Sequence, residues 1–289
     1  MNLLQQIING LILGHAYALI AIGWTVLLGV ARLVNFGHGQ MYMLGAFVTW
    51  WAFAGLGLPY PAAVLVAIGG GIVLGLAMQM VMMRLTLEQN LVSIMIVTLG
   101  FGHVMRGAAA LVFGGNPQIL ETPPSLIDFE VAGAWVTMQD LLIVLVTILV
   151  FALLRLVVEG GRLGRTARMV AEDPLLAQLA GIDVRRVYLG VFAFEGAAVA
   201  LAAALVAPRT PILTSIGFEE VIVTFVVVVL GGIGSVTGSY LAGLGLGLFN
   251  ALFGGFVSPA YTTAASFAVL TAVLVLRPGG LATRGGGGR

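Results

Sequence analysis

One polar interval, residues 154–187, constrains this chain more than any other feature, because almost everything on either side of it is apolar. It reads LRLVVEGGRLGRTARMVAEDPLLAQLAGIDVRRV. Six of the thirteen basic residues fall here, Arg155, Arg162, Arg165, Arg168, Arg185 and Arg186, against Glu159, Glu172, Asp173 and Asp183. A stretch this polar between long apolar runs has no place in hydrocarbon. Its arginine excess assigns it to the cytoplasmic side, where short loops of membrane proteins collect basic residues. It also carries helix punctuation. Asp173 suits an N-cap, Pro174 the first helical position and Gly181 the position just past the end. Leu175, Leu176 and Leu179 then share one face of a short helix. That face needs a cover, either a separate motor subunit or the lipid surface itself.

Composition supports the membrane reading. The chain is 60% hydrophobic and 9% charged over 289 residues, with mean hydropathy +1.10. Soluble domains carry about a quarter charged residues. The fold class expected is all-α, a polytopic transmembrane bundle of eight to nine membrane-embedded segments plus the short cytoplasmic helix. Apolar runs of roughly 20 residues lie near 7–29, 39–57, 60–83, 92–114, 139–158, 187–207, 219–235, 238–256 and 260–277. Prolines fall in the gaps or at run ends, where a missing N–H costs least. Nine crossings place the N-terminus outside and the C-terminus inside, with Arg32, Arg84, the 155–186 cluster, Arg277, Arg284 and Arg289 cytoplasmic. The acidic, arginine-free interval 114–140 is then external. Run 219–235 is the weakest crossing, since it starts with Glu219–Glu220 and ends in glycines. It reads equally as a segment that enters and returns. The whole chain reads as one transmembrane domain with a cytoplasmic loop 159–186 and a flexible glycine-rich tail 283–289.

Net charge is only +1, so nucleic acid is not an expected partner, whereas membrane lipid is. The absence of cysteine excludes thiolate chemistry. There is no lysine either, so the chain is not itself a P-loop ATPase. Three scattered histidines make a metal site improbable. The first six residues lack the basic region of a cleavable signal.

Four glycine pairs have small-xxx-small spacing: Gly10–Gly14, Gly71–Gly75, Gly234–Gly238 and Gly243–Gly247. Candidate functional positions are of three kinds. Asn35, Gly37, His38, Gly39 and Gln40 form a polar link between two apolar runs, read as a tight turn or as a wall of a translocation path. Gly231, Gly232, Gly234 and Ser235 form a broken-helix turn with a possible pathway role; its apolar flanks exclude nucleotide binding. Glu195, Arg106 and His103 are ionisable groups inside runs, which default to functional hypotheses. A Glu195–Arg106 pair is one arrangement; a snorkelling Arg106 is the other.

Three stretches, GHAYALIAIGWTVLLGVARLVNFGHGQMYMLGAF (14–47), LGRTARMVAEDPLLAQLAGIDVRRV (163–187) and VVVVLGGIGSVTGSYLAGLGLGLFNAL (226–252), with the closing LRPGGL (276–281), resemble the H-type permease family of branched-chain amino acid ABC importers. The likeness spans nearly the whole chain. It implies a non-catalytic subunit of the bacterial inner membrane that pairs with a homologous M-type permease. Two cytoplasmic ATPases would bind ATP and Mg and drive it, so the chain itself needs no cofactor, and a periplasmic solute-binding protein would deliver cargo. It also implies that Gly164, Arg165, Ala171, Glu172, Asp173, Ala177 and Gly181, with the leucine face of Leu175, Leu176 and Leu179, form the ATPase-coupling loop. The Asn35-Phe36-Gly37-His38-Gly39 turn resembles the family's NFxHG pattern, with Gly37 where alanine is usual. Cargo in such relatives ranges over branched-chain and hydrophobic amino acids, urea, amides and aromatic acids. The competing reading is a proton-coupled secondary transporter using Glu195 and His103.

Overall fold

A computed structural model describes residues 3–85, 91–131, 133–277 and 279–281; the glycine-rich tail lies outside this set. The chain forms α1 (Leu3–Val30), α2 (His38–Trp50), α3 (Tyr60–Leu85), α4 (Leu91–Phe113), a hairpin of β1 (Asp128–Val131) and β2 (Ala134–Thr137), then α5 (Met138–Gly160), α6 (Arg162–Glu172), α7 (Pro174–Leu179), α8 (Val184–Val206), α9 (Ile216–Gly231), α10 (Val236–Phe256) and α11 (Thr262–Leu276). Among the described residues seven helical segments are long and apolar enough to cross a membrane: α1, α3, α4, α5, α8, α10, and α11 extended by the 3-10 turn Pro259–Tyr261. The protein is therefore an all-α, multi-pass membrane bundle.

Eight to nine spans were expected from hydropathy, and α2 and α9 account for the difference. Helix α2 runs 13 residues and continues as a π-helical turn, Trp51–Gly55, and α9 runs 16 residues; what sets them apart from the crossing helices is where they start. Both are half-helices that begin inside the bundle. The His38 ring hydrogen-bonds the Ile20 carbonyl (Nε2···O 3.2 Å). Ile20 lies ten residues before the end of α1, about 15 Å back along its axis. Residues 31–37 thus fold back into the protein before α2 starts. The reversal is made at Arg32, whose φ of 54° is left-handed, a conformation that costs a non-glycine residue about 1–2 kcal/mol. Residues 207–215 do the same from the opposite end, and Gly217 of α9 meets Gly39 of α2.

The remaining helices follow one pattern twice. Helix α1 lies along α10, and α8 lies along α3; α2 packs on α8 as α9 packs on α1. The corresponding helices run in opposite directions, so α1–α4 and α8–α11 form an inverted repeat, an arrangement typical of membrane transporters. Between lipid tails there is no hydrophobic force to press helices together, so close backbone packing carries the association. The glycine pairs supply it. Gly10 and Gly14 of α1 sit against Leu248, Leu244 and Gly247 of α10, and Gly71 and Gly75 of α3 sit against Gly196 and Phe192 of α8. Gly234–Gly238 is different from the expectation. Gly234 is in a turn, at φ 80°, and touches Gly29 at the end of α1.

One end of the bundle carries α6 and α7. The other carries the hairpin, which hydropathy did not reveal within 114–139. Both oxygen and nitrogen of the Gln5 amide bind the Trp135 backbone there (2.7 and 3.0 Å). Alternation of small and large residues over only four positions is too short a signal to separate a strand from a loop.

Candidate functional site: a mid-depth junction and an exposed knuckle

The polar residues of the 35–39 link and Glu195 are brought together. Asn35, His38 and Glu195 are each completely buried. Glu195 Oε1 accepts from Asn35 Nδ2 at 3.0 Å and lies 3.0 Å from His38 Nδ1. Trp24 of α1 stacks on the His38 ring, with centroids 5.5 Å apart. Asn35 also turns its Oδ1 back to accept from the Gly37 amide (2.9 Å), the short-range bond that makes Asn a turn former. Thr98 Oγ1 of α4 takes the Phe36 amide at 3.2 Å. These contacts pin the inward loop to α1, α4 and α8 at once. Buried polar groups at membrane depth need partners of this kind, and Glu195 Oε2 is left without one.

Arg106 is not part of this cluster. It and His103 are exposed on α4, and Glu195 is held by Asn35 and His38 instead. The sequence offered no way to choose, because partner and carboxylate are 160 residues apart.

Gly37 and Gly39 occupy the start of α2. A Cβ on Gly39 would stand 1.8 Å from the Gly217 carbonyl oxygen, so the half-helices cross backbone to backbone. Gly231, Gly232, Gly234 and Ser235 form a second cluster, at the end of α9 against Gly29, nine residues further along α1 than Ile20. Gly232 has φ 94°, which only glycine adopts readily, and Ser235 caps α10 by accepting from the Gly238 amide (3.1 Å). The two glycine-bearing clusters are thus at different depths, both touching α9.

The residues of the polar interval form a third group. Helix α6 lies against the end of α5, and Gly164 permits this: a Cβ there would be 2.2 Å from the Val158 carbonyl. Asp173 Oδ1 accepts from the Leu175 and Leu176 amides (2.8 and 3.0 Å), Pro174 follows it, and Gly181 closes the turn at φ 84°. Ala177 is buried in a small apolar cluster with Val170 and Val184. The opposite side projects outward: Leu175, Leu176 and Leu179 are 65, 62 and 77% exposed. Arg165 and Glu172 are exposed beside them, and Ala171 is half-buried.

Residues 6–276 match the protein family described as "Branched-chain amino acid transport system / permease component". The chain belongs to this family. The permease is 34% identical over 298 residues to the high-affinity branched-chain amino acid transport system permease protein LivH of Escherichia coli, covering 97% of this chain and 96% of that one. It is 32% identical over 294 residues to BraD of Pseudomonas aeruginosa, with the same coverage. It also resembles the E. coli LivM permease, at 28% identity over 92% of this chain and 67% of that one. Among solved structures, PsaBC from Streptococcus pneumoniae in complex with Fab aligns with a TM-score of 0.50 at 12% identity, over 95% of this chain and 91% of that one, a likeness of fold alone. As a permease component the chain is not an enzyme.

Sequence reading missed one polar group in the permease. Asn250 and Ser266 are buried at 7 and 4% exposure and hydrogen-bonded to each other (2.8 Å). Their signal was a single amide in LGLGLFNALFGG and a single hydroxyl in TTAASFAVL, each inside an otherwise apolar run.

Proposed function

We propose that the protein is the H-type permease subunit of an ABC importer that carries branched-chain or related hydrophobic amino acids across the bacterial inner membrane. On this reading it pairs with an M-type permease, and its similarity to LivM supports a partner of its own kind. Two ATPases grip it from the cytoplasm, and a periplasmic binding protein supplies cargo. The N-terminus and the β-hairpin face the periplasm, and the basic α6–α7 end faces the cytoplasm.

The observation that carries this reading is the α7 knuckle. Three leucines stand in solvent on a helix of six residues that is anchored through the buried Ala177. Such a face serves as an apolar plug for a groove on another protein. Gly164, Arg165, Ala171, Glu172, Asp173 and Gly181 are its frame: they seat α6, cap α7 and close its end. Closure of the ATPases on ATP moves the knuckle, and α5 and α8 on either side of it transmit the motion. The shift in the bundle is only as large as the difference in ATPase contact between the two states.

The path itself runs beside the crossing of α2 and α9, on the α9 side. Asn35, Gly37, His38, Gly39 and Glu195 form its inner backing, and Gly231, Gly232, Gly234 and Ser235 its cytoplasmic turn. The half-helices suit alternating access, because inverted repeats rock about such a crossing. The proton-carrier alternative used Glu195 and His103 as a relay; Glu195 is completely buried against His38, whereas His103 is exposed on α4.

Leu175→Asp combined with Leu179→Asp tests the coupling role. The complex is expected to assemble in the membrane, while amino-acid uptake falls more than about tenfold, the loss of roughly 1.4 kcal/mol or more of contact, and ATP hydrolysis no longer responds to the loaded binding protein. Normal uptake by the double variant would overturn the assignment and favour a knuckle that merely rests on lipid.

A further inference from the structure

A cavity of about 470 Å³ lies in the hairpin-end half of the bundle, between α1, α9, α10 and α11. We infer that it is a way-station of the permease itself, which binds an aliphatic α-amino acid as its zwitterion. This deepens the importer reading and rests on it.

Polar side chains on membrane helices face each other or a wet cavity, because hydrocarbon offers them no partner. Here Gln6, Asn9 and Tyr17 of α1 line the space, at helical spacing on one stripe. Across from them Ser266 Oγ donates to Asn250 Oδ1 (2.8 Å), and Asn250 Nδ2 donates to Tyr17 Oη (3.4 Å). Asn250 is therefore held in a fixed orientation before any ligand arrives. The same groups also join helices, since Gln6 lies against Gly255 of α10 and Tyr17 is bonded to Asn250.

The lining selects the ligand class. It contains no carboxylate, which argues against a simple cation. Its one charge is Arg209, 32% exposed, whose Nη1 is paired with Asp140 at 2.9 Å. That pair is neutral overall, so the preferred ligand is neutral overall too. A guanidinium carries five N–H donors, and one carboxylate contact leaves others to take a ligand carboxylate. Amide and hydroxyl oxygens of the α1 stripe suit an ammonium group. The α9 wall is Ile222, Val223 and Val226, an aliphatic surface for an aliphatic side chain. A permease that met its cargo only as water-filled space would need none of this.

The test uses the assembled transporter in proteoliposomes with its binding protein, and L-[14C]leucine as the probe. Asn250→Leu removes the central amide at similar volume. Thr263→Trp fills the cavity from α11, whose Thr263 is exposed, with little burden on folding. Each variant is expected to cut the maximal uptake rate about tenfold, the effect of about 1.4 kcal/mol. ATP hydrolysis stimulated by the loaded binding protein is expected to persist, as is the concentration for half-maximal uptake, since the binding protein sets it. Photo-leucine is expected to label peptides containing Leu13 and Val223 in the wild type, to be displaced by excess L-leucine, and to lose this labelling in Asn250→Leu. Normal leucine uptake in Thr263→Trp, or labelling that L-leucine does not displace, overturns the way-station while leaving the importer intact. Failure of the wild-type complex to take up any amino acid overturns both.

Discussion

Gly39→Ala is expected to remove folded, extractable permease altogether. The added methyl would stand 1.8 Å from the Gly217 oxygen and 2.8 Å from its carbonyl carbon. Both are backbone atoms of α9, so no side chain can swing aside. The reciprocal contact is as tight, with a Cβ on Gly217 only 2.5 Å from the Gly39 oxygen. The two half-helices would have to separate, and the inward loops 31–37 and 207–215 with them. Overpacking a well-filled core costs about 1–3 kcal/mol where side chains can adjust; a backbone crossing cannot, which puts this change at about 4 kcal/mol or beyond. Monodisperse yield in mild detergent and the thermal midpoint measure it. Gly245→Ala is the matched control, because nothing lies within 4 Å of a Cβ there and alanine is the better helix former. Wild-type yield and midpoint for Gly39→Ala would show that α2 and α9 do not cross in this way.

Glu195→Ala is expected to be nearly as damaging, for an electrostatic reason. His38 Nε2 faces the Ile20 carbonyl, which only accepts, so Nε2 carries a hydrogen. His38 Nδ1 and Glu195 Oε1 stand 3.0 Å apart, each the other's buried partner. Alanine takes away the acceptor of Asn35 Nδ2 and the partner of His38 together, inside a cluster with no exposure. Breaking a buried pair by deleting one member costs about 3–5 kcal/mol. Glu195→Gln keeps an oxygen for Asn35 and is expected to fall between alanine and wild type. The thermal midpoint in detergent ranks the three. If alanine and wild type melt together, the inward loop is not held by Glu195.

Some features of the permease were legible because they are local. Asp173, Pro174 and Gly181 announce a short helix, and its leucine face is exposed on the folded protein, because caps and spacing act within a few residues. Glycine spacing announced close helix approach at Gly10–Gly14 and Gly243–Gly247, but it did not say that these two pairs would meet. The same spacing misled at Gly234, which serves a turn. Hydropathy located the apolar runs and overcounted the spans, since a half-helix buried in protein is as apolar as one that crosses lipid.

The amino-acid order by itself determined that this chain is a helical membrane protein with one basic, helix-bearing interval, because burying twenty apolar residues in lipid depends on their sum and not on their neighbours. Only the tertiary structure decided that two loops turn inward, that α2 and α9 meet backbone to backbone, and that Glu195 belongs to Asn35 and His38. Those outcomes depend on which helices stand side by side. That choice is made by close contacts between residues some 160 to 180 positions apart, a separation across which no periodicity carries information.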